Sequence, residues 1–196
     1  MKRWAGVIGS PIEHSLSPIL HDTAFGLLGL DWEYRKYRVE TDELATFIAG
    51  VGADCVGLSV TSPLKRAVLP LVDATDGLAN LVEAANTVAF SSSMSAAFNT
   101  DVQAIVDTVR PHLVAPSVTG SSGLGLLVPE NAGPLTSLPP AVVVGTGATA
   151  CSALAALKSL GATKVYLVGR SFAGPQNAYV IGMALGLEVH SVLLRV

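Results

Sequence analysis

Two hydrophobic rhythms alternate along this chain. Short apolar runs of strand length are followed by stretches whose apolar positions recur every three or four residues, as one face of a helix requires. Residues 5–8 are a first short strand, closed by Gly9-Ser10-Pro11. Ser17-Pro18 then predicts a helix start, serine as N-cap and proline in the first turn, with Leu20, Ala24, Leu27 and Leu28 as a core-facing stripe and Gly29 as its stop. Residues 33–39 are polar and aromatic by turns, an exposed strand. Thr41 is the expected cap of a helix whose inner face is Leu44, Phe47, Ile48 and Val51. Residues 56–60 form a buried, β-branched strand that must end by Pro63, which cannot donate to a ladder. A short helix over 64–72, helix and turn over 73–85, a hairpin of 87–90 with 95–98, and a helix over 101–110 follow.

Residues 111–140 break the rhythm. Six prolines punctuate a Gly/Ser-rich stretch, a long connector for a compact domain, and Gly120 to Gly125 lacks the flanking strand and helix of a phosphate loop. Beyond it, residues 141–144 are a buried strand, 148–160 a helix ending at Gly161, 164–168 a second strand, 177–185 a helix and 187–194 a third strand. Gly145-Thr146-Gly147-Ala148-Thr149-Ala150 fits G-x-G-x-x-A between the first strand and helix, the arrangement that cradles a dinucleotide pyrophosphate. The expected organisation is an α/β domain over 1–110, a linker over 111–140 and a partial Rossmann-like dinucleotide-binding domain over 141–196.

Composition narrows the function. Half the residues are hydrophobic and the net charge is −3, so there is core to bury but no basic footprint for nucleic acid. No apolar stretch reaches the ~18 residues of a membrane helix. Cys55 and Cys151 lie far apart, without the spacing of a metal site or a disulfide framework, which suits a cytoplasmic protein without a bound metal.

Lys65, one of five lysines, falls just past the carboxyl end of the 56–60 strand, where open α/β sheets place their ligands. By itself it reads better as a surface lysine at a helix start, next to Arg66. Ser17 reads as an N-cap, Asp101 as a helix cap or a functional acid, and Asn86 with Thr87 as turn residues. His14 and His21 read as structural, and His112 and His190 have no evident partner.

Taken together these residues tell more. Ser10-Pro11-Ile12-Glu13-His14-Ser15-Leu16-Ser17-Pro18, Ser59-Val60-Thr61-Ser62-Pro63-Leu64-Lys65, Ala84-Ala85-Asn86-Thr87-Val88 and Asn99-Thr100-Asp101 resemble, in order and spacing, the substrate-site motifs of the shikimate dehydrogenase family. The resemblance continues through the Gly145 loop and fades near Arg170. It implies an α/β fold with an N-terminal substrate-binding domain before a Rossmann-like domain. It also implies NADPH-dependent, reversible reduction of 3-dehydroshikimate to shikimate, in the biosynthesis of chorismate and the aromatic amino acids. In that reading Ser15 and Ser17 hold the carboxylate of a polyhydroxy acid, and Thr61 and Asn86 hold its hydroxyls. Lys65 and Asp101 are catalytic, the lysine passing a proton at the reacting oxygen. Gly145, Gly147, Ala148, Ala150, Arg170 and Ser171 form the cofactor site. Arg170, where an acid would select NAD, favours NADP. Cys151 stands where many members carry an arginine. The family's last quarter is not matched, which leaves three accounts: a fragment, a paralogue that binds a shikimate- or quinate-like ligand or a nucleotide without turnover, or a homodimer whose second copy covers the exposed surfaces.

Overall fold

A computed structural model describes residues 2–91, 94–113, 138–174 and 176–195, so the proline-rich expectations over 114–137 lie outside the described residues. The chain forms two compact units, Met1–Thr100 and Asp101–Val196. Among the described residues no helix is long and apolar enough to cross a membrane, and no cluster of side chains could hold a metal ion.

The first unit is built on a six-stranded mixed sheet in the order β2-β1-β3-β5-β6-β4. Strands β1 (Arg3–Gly9), β2 (Trp32–Arg38) and β3 (Cys55–Val60) run parallel, while β5 (Thr87–Ser91) runs antiparallel to β3 and forms a hairpin with β6 (Met94–Phe98). The two-residue β4 (Ala74–Thr75) closes the edge. One face of the sheet carries the main core of Ile8, Leu58, Val60 and Val88, with Leu64 and Val68 packed in and α2 (Leu44–Ala49) above it. The other face carries Val7 and Tyr34, with Phe25 of α1 (Ser17–Leu27) against them. Cys55 is buried in the main core, and its desolvation pushes the thiol up to about 11, so it is protonated at neutral pH.

The structure departs from the local sequence pattern in several places. The cap of α1 is not Ser17: the helix begins there, and Ser15 Oγ accepts from the Ser17 N–H at 3.3 Å. Thr41 does not cap α2, whose N-cap is Glu43. Residues 64–72 wind through turns to a 3-10 segment, Leu69–Leu71, rather than an α-helix, although Leu64 and Val68 are fully buried. The stripe on α1 is not core, since Leu20, Leu27 and Leu28 are 71 %, 85 % and 71 % exposed.

The second unit opens with α4 (Asp101–Val109), which packs on α5 (Ala148–Ser159). Its sheet is β7 (Ala141–Val144), β8 (Lys164–Gly169) and β9 (Glu188–Leu193), all parallel and in chain order. Two crossover helices, α5 and α6 (Ala178–Ala184), make these connections possible. A Cβ on Gly182 of α6 would meet Val189 Cγ2 at 2.7 Å and Leu154 Cδ1 at 3.2 Å, so helix, strand and α5 pack closely there. Val165 and Leu167 are fully buried on that face of β8. Among the described residues nothing covers the opposite face at β7. Val142 and Val144, expected in a buried strand, are 64 % and 75 % exposed. His190 has partners after all: it lies 2.6 Å from Glu188, which also pairs with Lys164 at 3.1 Å, and its ring stacks on Tyr166.

Candidate active site

Ligand-binding loops of an open α/β sheet gather at the carboxyl ends of its parallel strands. In the first unit that edge is where β1 and β3 end together. The Thr61 N–H donates to Ile8 O at 3.0 Å, and the Ser10 N–H to Ser62 O at 3.0 Å. Gly9 is required there, because a Cβ on it would meet Thr61 Cγ2 at 2.4 Å and Ser62 O at 2.8 Å. Because β5 runs antiparallel, its start rather than its end lies on the same edge. Asn86 therefore sits beside the end of β3, its carbonyl accepting the Val60 N–H at 2.7 Å. The Ala85 N–H donates to Lys65 O at 2.8 Å, which holds the lysine backbone next to the asparagine.

The structure thus brings Thr61, Lys65 and Asn86 together through main-chain hydrogen bonds. Asn86 is further oriented by Thr100: Oδ1 accepts from the Thr100 N–H at 2.9 Å, and Nδ2 donates to Thr100 Oγ1 at 2.8 Å. Asn99, buried, donates from Nδ2 to Ala84 O at 2.8 Å and steadies the same turn. Ser15 and Ser17 follow the end of β1 and open α1, which begins at that edge. Asp101 is the first residue of α4 and belongs to the second unit.

Two neighbouring groups were not anticipated. The Ser10 hydroxyl donates to Glu40 Oε1 at 2.6 Å, and this bond, with Arg38, holds the Glu40 carboxyl below its usual range. The Tyr34 phenol donates to Ser59 Oγ at 2.6 Å. Strand alternation alone marks Tyr34, the buried position of an otherwise half-exposed strand.

In the second unit, a cavity of about 500 Å³ is lined by Gly145, Thr146, Gly147, Gly169, Arg170 and Ser171. The glycine loop is strung between neighbours: the Gly145 N–H donates to Val168 O at 2.7 Å, and the Ala178 N–H to Thr146 O at 3.1 Å. Gly145 has φ +118°, a region that favours glycine, and a Cβ on Gly147 would meet nothing within 4 Å. The N-cap of α5 is Gly147, which has no side chain to cap the amide N–H groups of the first turn beginning at Ala148. Ala150 and Cys151 are buried on the inner side of α5. Asn177 orders the segment after β8, accepting from the Tyr179 N–H at 2.8 Å and donating to Phe172 O at 2.7 Å.

The fold is α/β, with a polar edge at the strand ends of one unit and a Rossmann-like glycine-loop cavity in the next. Residues 7–88 match the family model of the shikimate dehydrogenase substrate binding domain. The chain is 40 % identical over 168 residues to the shikimate dehydrogenase (NADP(+)) of Citrifermentans bemidjiense, covering 85 % of this chain and 51 % of the relative. It superposes on the crystal structure of Mycobacterium tuberculosis shikimate dehydrogenase with a TM-score of 0.76 at 31 % identity, covering 97 % of this chain and 63 % of that one. A Thermus thermophilus shikimate 5-dehydrogenase crystallised with NADP(H) and shikimate aligns with a TM-score of 0.74 at 26 % identity, over 97 % of this chain and 63 % of that one. Along most of its length the chain is similar to shikimate dehydrogenases. It spans about half the length of the curated relatives it matches.

Proposed function

We propose that this chain serves the NADPH-dependent, reversible reduction of 3-dehydroshikimate to shikimate, as a cytoplasmic enzyme of chorismate and aromatic amino-acid biosynthesis. Residues 1–110 supply the substrate and catalytic groups and 141–196 the nucleotide site, joined by 111–140. The observation that carries the reading is the meeting of Thr61, Lys65 and Asn86 at one sheet edge, beside the segment bearing Ser15 and Ser17. A polyhydroxy carboxylate needs such an edge: hydroxyl donors for its carboxylate, amide and hydroxyl groups for its ring, and a proton carrier at the reacting oxygen.

Ser15 and Ser17 bind the carboxylate, while Thr61 and Asn86 orient the ring hydroxyls. The Lys65 ammonium donates to the oxygen whose carbon changes oxidation state, and gives up or takes the proton as charge develops there. Asp101, the first residue of α4, is the second catalytic group of this reading. The cofactor, when bound, supplies or accepts the hydride. The loop fits it: main-chain groups of Gly145 and Gly147 and the first turn of α5 at Ala148 suit the pyrophosphate, with Ala150 small enough to let the helix approach. Arg170 and Ser171 suit a 2′-phosphate, which favours NADP over NAD.

The test adds shikimate and NADP⁺ to the purified chain and follows NADPH absorbance, with calorimetry of shikimate alone. NADPH formation is expected. Binding without turnover would identify a ligand-binding paralogue, and absence of both would end the reading. A second prediction addresses the nucleotide loop. A Cβ at Gly169 would meet Thr146 Cγ2 at 2.5 Å, and a β-branched threonine has little freedom to yield. Gly169→Ala is therefore expected to weaken NADP⁺ binding by about tenfold, in the range of overpacking penalties of about 1–3 kcal/mol, while shikimate binding measured alone stays unchanged.

A further inference from the structure

Tyr34 lies in an edge strand, yet only 6 % of its surface is exposed. Three separate interactions hold it. Its main-chain N–H donates to Asp22 Oδ1 at 2.7 Å. Its ring lies parallel to that of His21, with centroids 4.2 Å apart and planes 5° from coplanar. Its phenol reaches across β1 and donates to Ser59 Oγ at 2.6 Å. Asp22 and His21 belong to α1, the helix that Ser17 opens, and Ser59 lies two residues before Thr61 on β3. Tyr34 thus ties the segment bearing Ser15 and Ser17 to the segment bearing Thr61 and Lys65.

A tyrosine buried only for packing would need its ring alone, and a phenylalanine would serve. Here the hydroxyl spans from one ligand-bearing segment to the other, and burial makes its loss costly to replace by water. The α1 side of that span needs holding, because among the described residues no side chain of α1 is buried.

We propose that Tyr34 is a positioning residue. Through Ser59 on one side and His21 and Asp22 on the other, it sets the distance between the carboxylate-binding serines and the Thr61–Lys65 edge. The role rests on the proposed shikimate reaction for its functional readout, but the strut itself is a property of the unligated chain. A ligand gripped at its carboxylate by one segment and at its ring hydroxyls by another is sensitive to that spacing, since small misplacements cost rate steeply.

The experiment compares the unsubstituted chain with Tyr34→Phe, Ser59→Ala and the double variant, which remove the hydrogen bond but keep the ring stacked on His21. Two readouts are taken. Amide hydrogen exchange of the unligated chain is expected to quicken about tenfold at residues 15–17 and 61–65, and to stay unchanged in β5 and β6, in each single variant. Steady-state kinetics are expected to show kcat/KM for shikimate falling about tenfold with KM for NADP⁺ unchanged, and the double variant no worse than either single one. Exchange unchanged in Tyr34→Phe would overturn the proposal whatever the kinetics. Altered exchange in a chain that neither binds nor turns over shikimate would leave the strut standing and sink the shikimate reading instead. Altered exchange with unchanged kcat/KM would overturn the positioning role.

Discussion

Lys65→Ala is expected to lower shikimate turnover by about 10²–10⁴-fold, the usual contribution of a positioned proton-transfer group, with a much smaller change in KM. The lysine main chain is fixed independently of its side chain, through Lys65 O and the Ala85 N–H at 2.8 Å. Truncation should therefore remove the ammonium and leave the edge in place. Parallel thermal denaturation checks this: a midpoint close to that of the unsubstituted chain makes the rate loss chemical. Lys65→Arg should recover little, because guanidinium keeps the charge but cannot release a proton near neutral pH. A Lys65→Ala chain within tenfold of the original would remove the assigned proton carrier.

Gly9→Ala is expected to damage both fold and site. The added methyl would lie 2.4 Å from Thr61 Cγ2 and 2.8 Å from the main-chain Ser62 O, and a backbone atom cannot rotate aside. Relief requires β1 and β3 to part where they end. We expect a loss of about 1–3 kcal/mol in denaturant unfolding, with KM for shikimate raised because Thr61 moves with its main chain. An unchanged unfolding midpoint would mean that the two strand ends have slack that the structure does not show.

What the sequence disclosed, and what it hid, divides along physical lines. The position of Lys65 was legible because a β-branched run stopped by Pro63 marks a strand end. The position of Asn86 was not, because an asparagine before a strand lies beside that end only if its strand is reversed, and pairing direction is not written locally. The N-T-D motif pointed to Asp101, while the residues that shape the turn, Asn99 and Thr100, showed their work only in hydrogen bonds to Ala84 and Asn86. The leucines of α1 carried a helical period correctly, but periodicity reports a face, not what covers it. Val142 and Val144 failed for the same reason: a run of four apolar residues does not say whether both sides of its sheet are packed. The partner of His190 was two residues away, at Glu188, on the same side of one strand.

The ligand edge is assembled by peptide groups: Thr61 to Ile8, Val60 to Asn86, Ala85 to Lys65. Peptide groups hold the strand ends whichever hydroxyl or methyl projects from position 61. On the proposed reading, exchanging that threonine alters the hydroxyl pattern a ligand must present while those main-chain bonds stay in place. In evolutionary terms, such a frame lets substrate preference drift by single substitutions while the architecture persists.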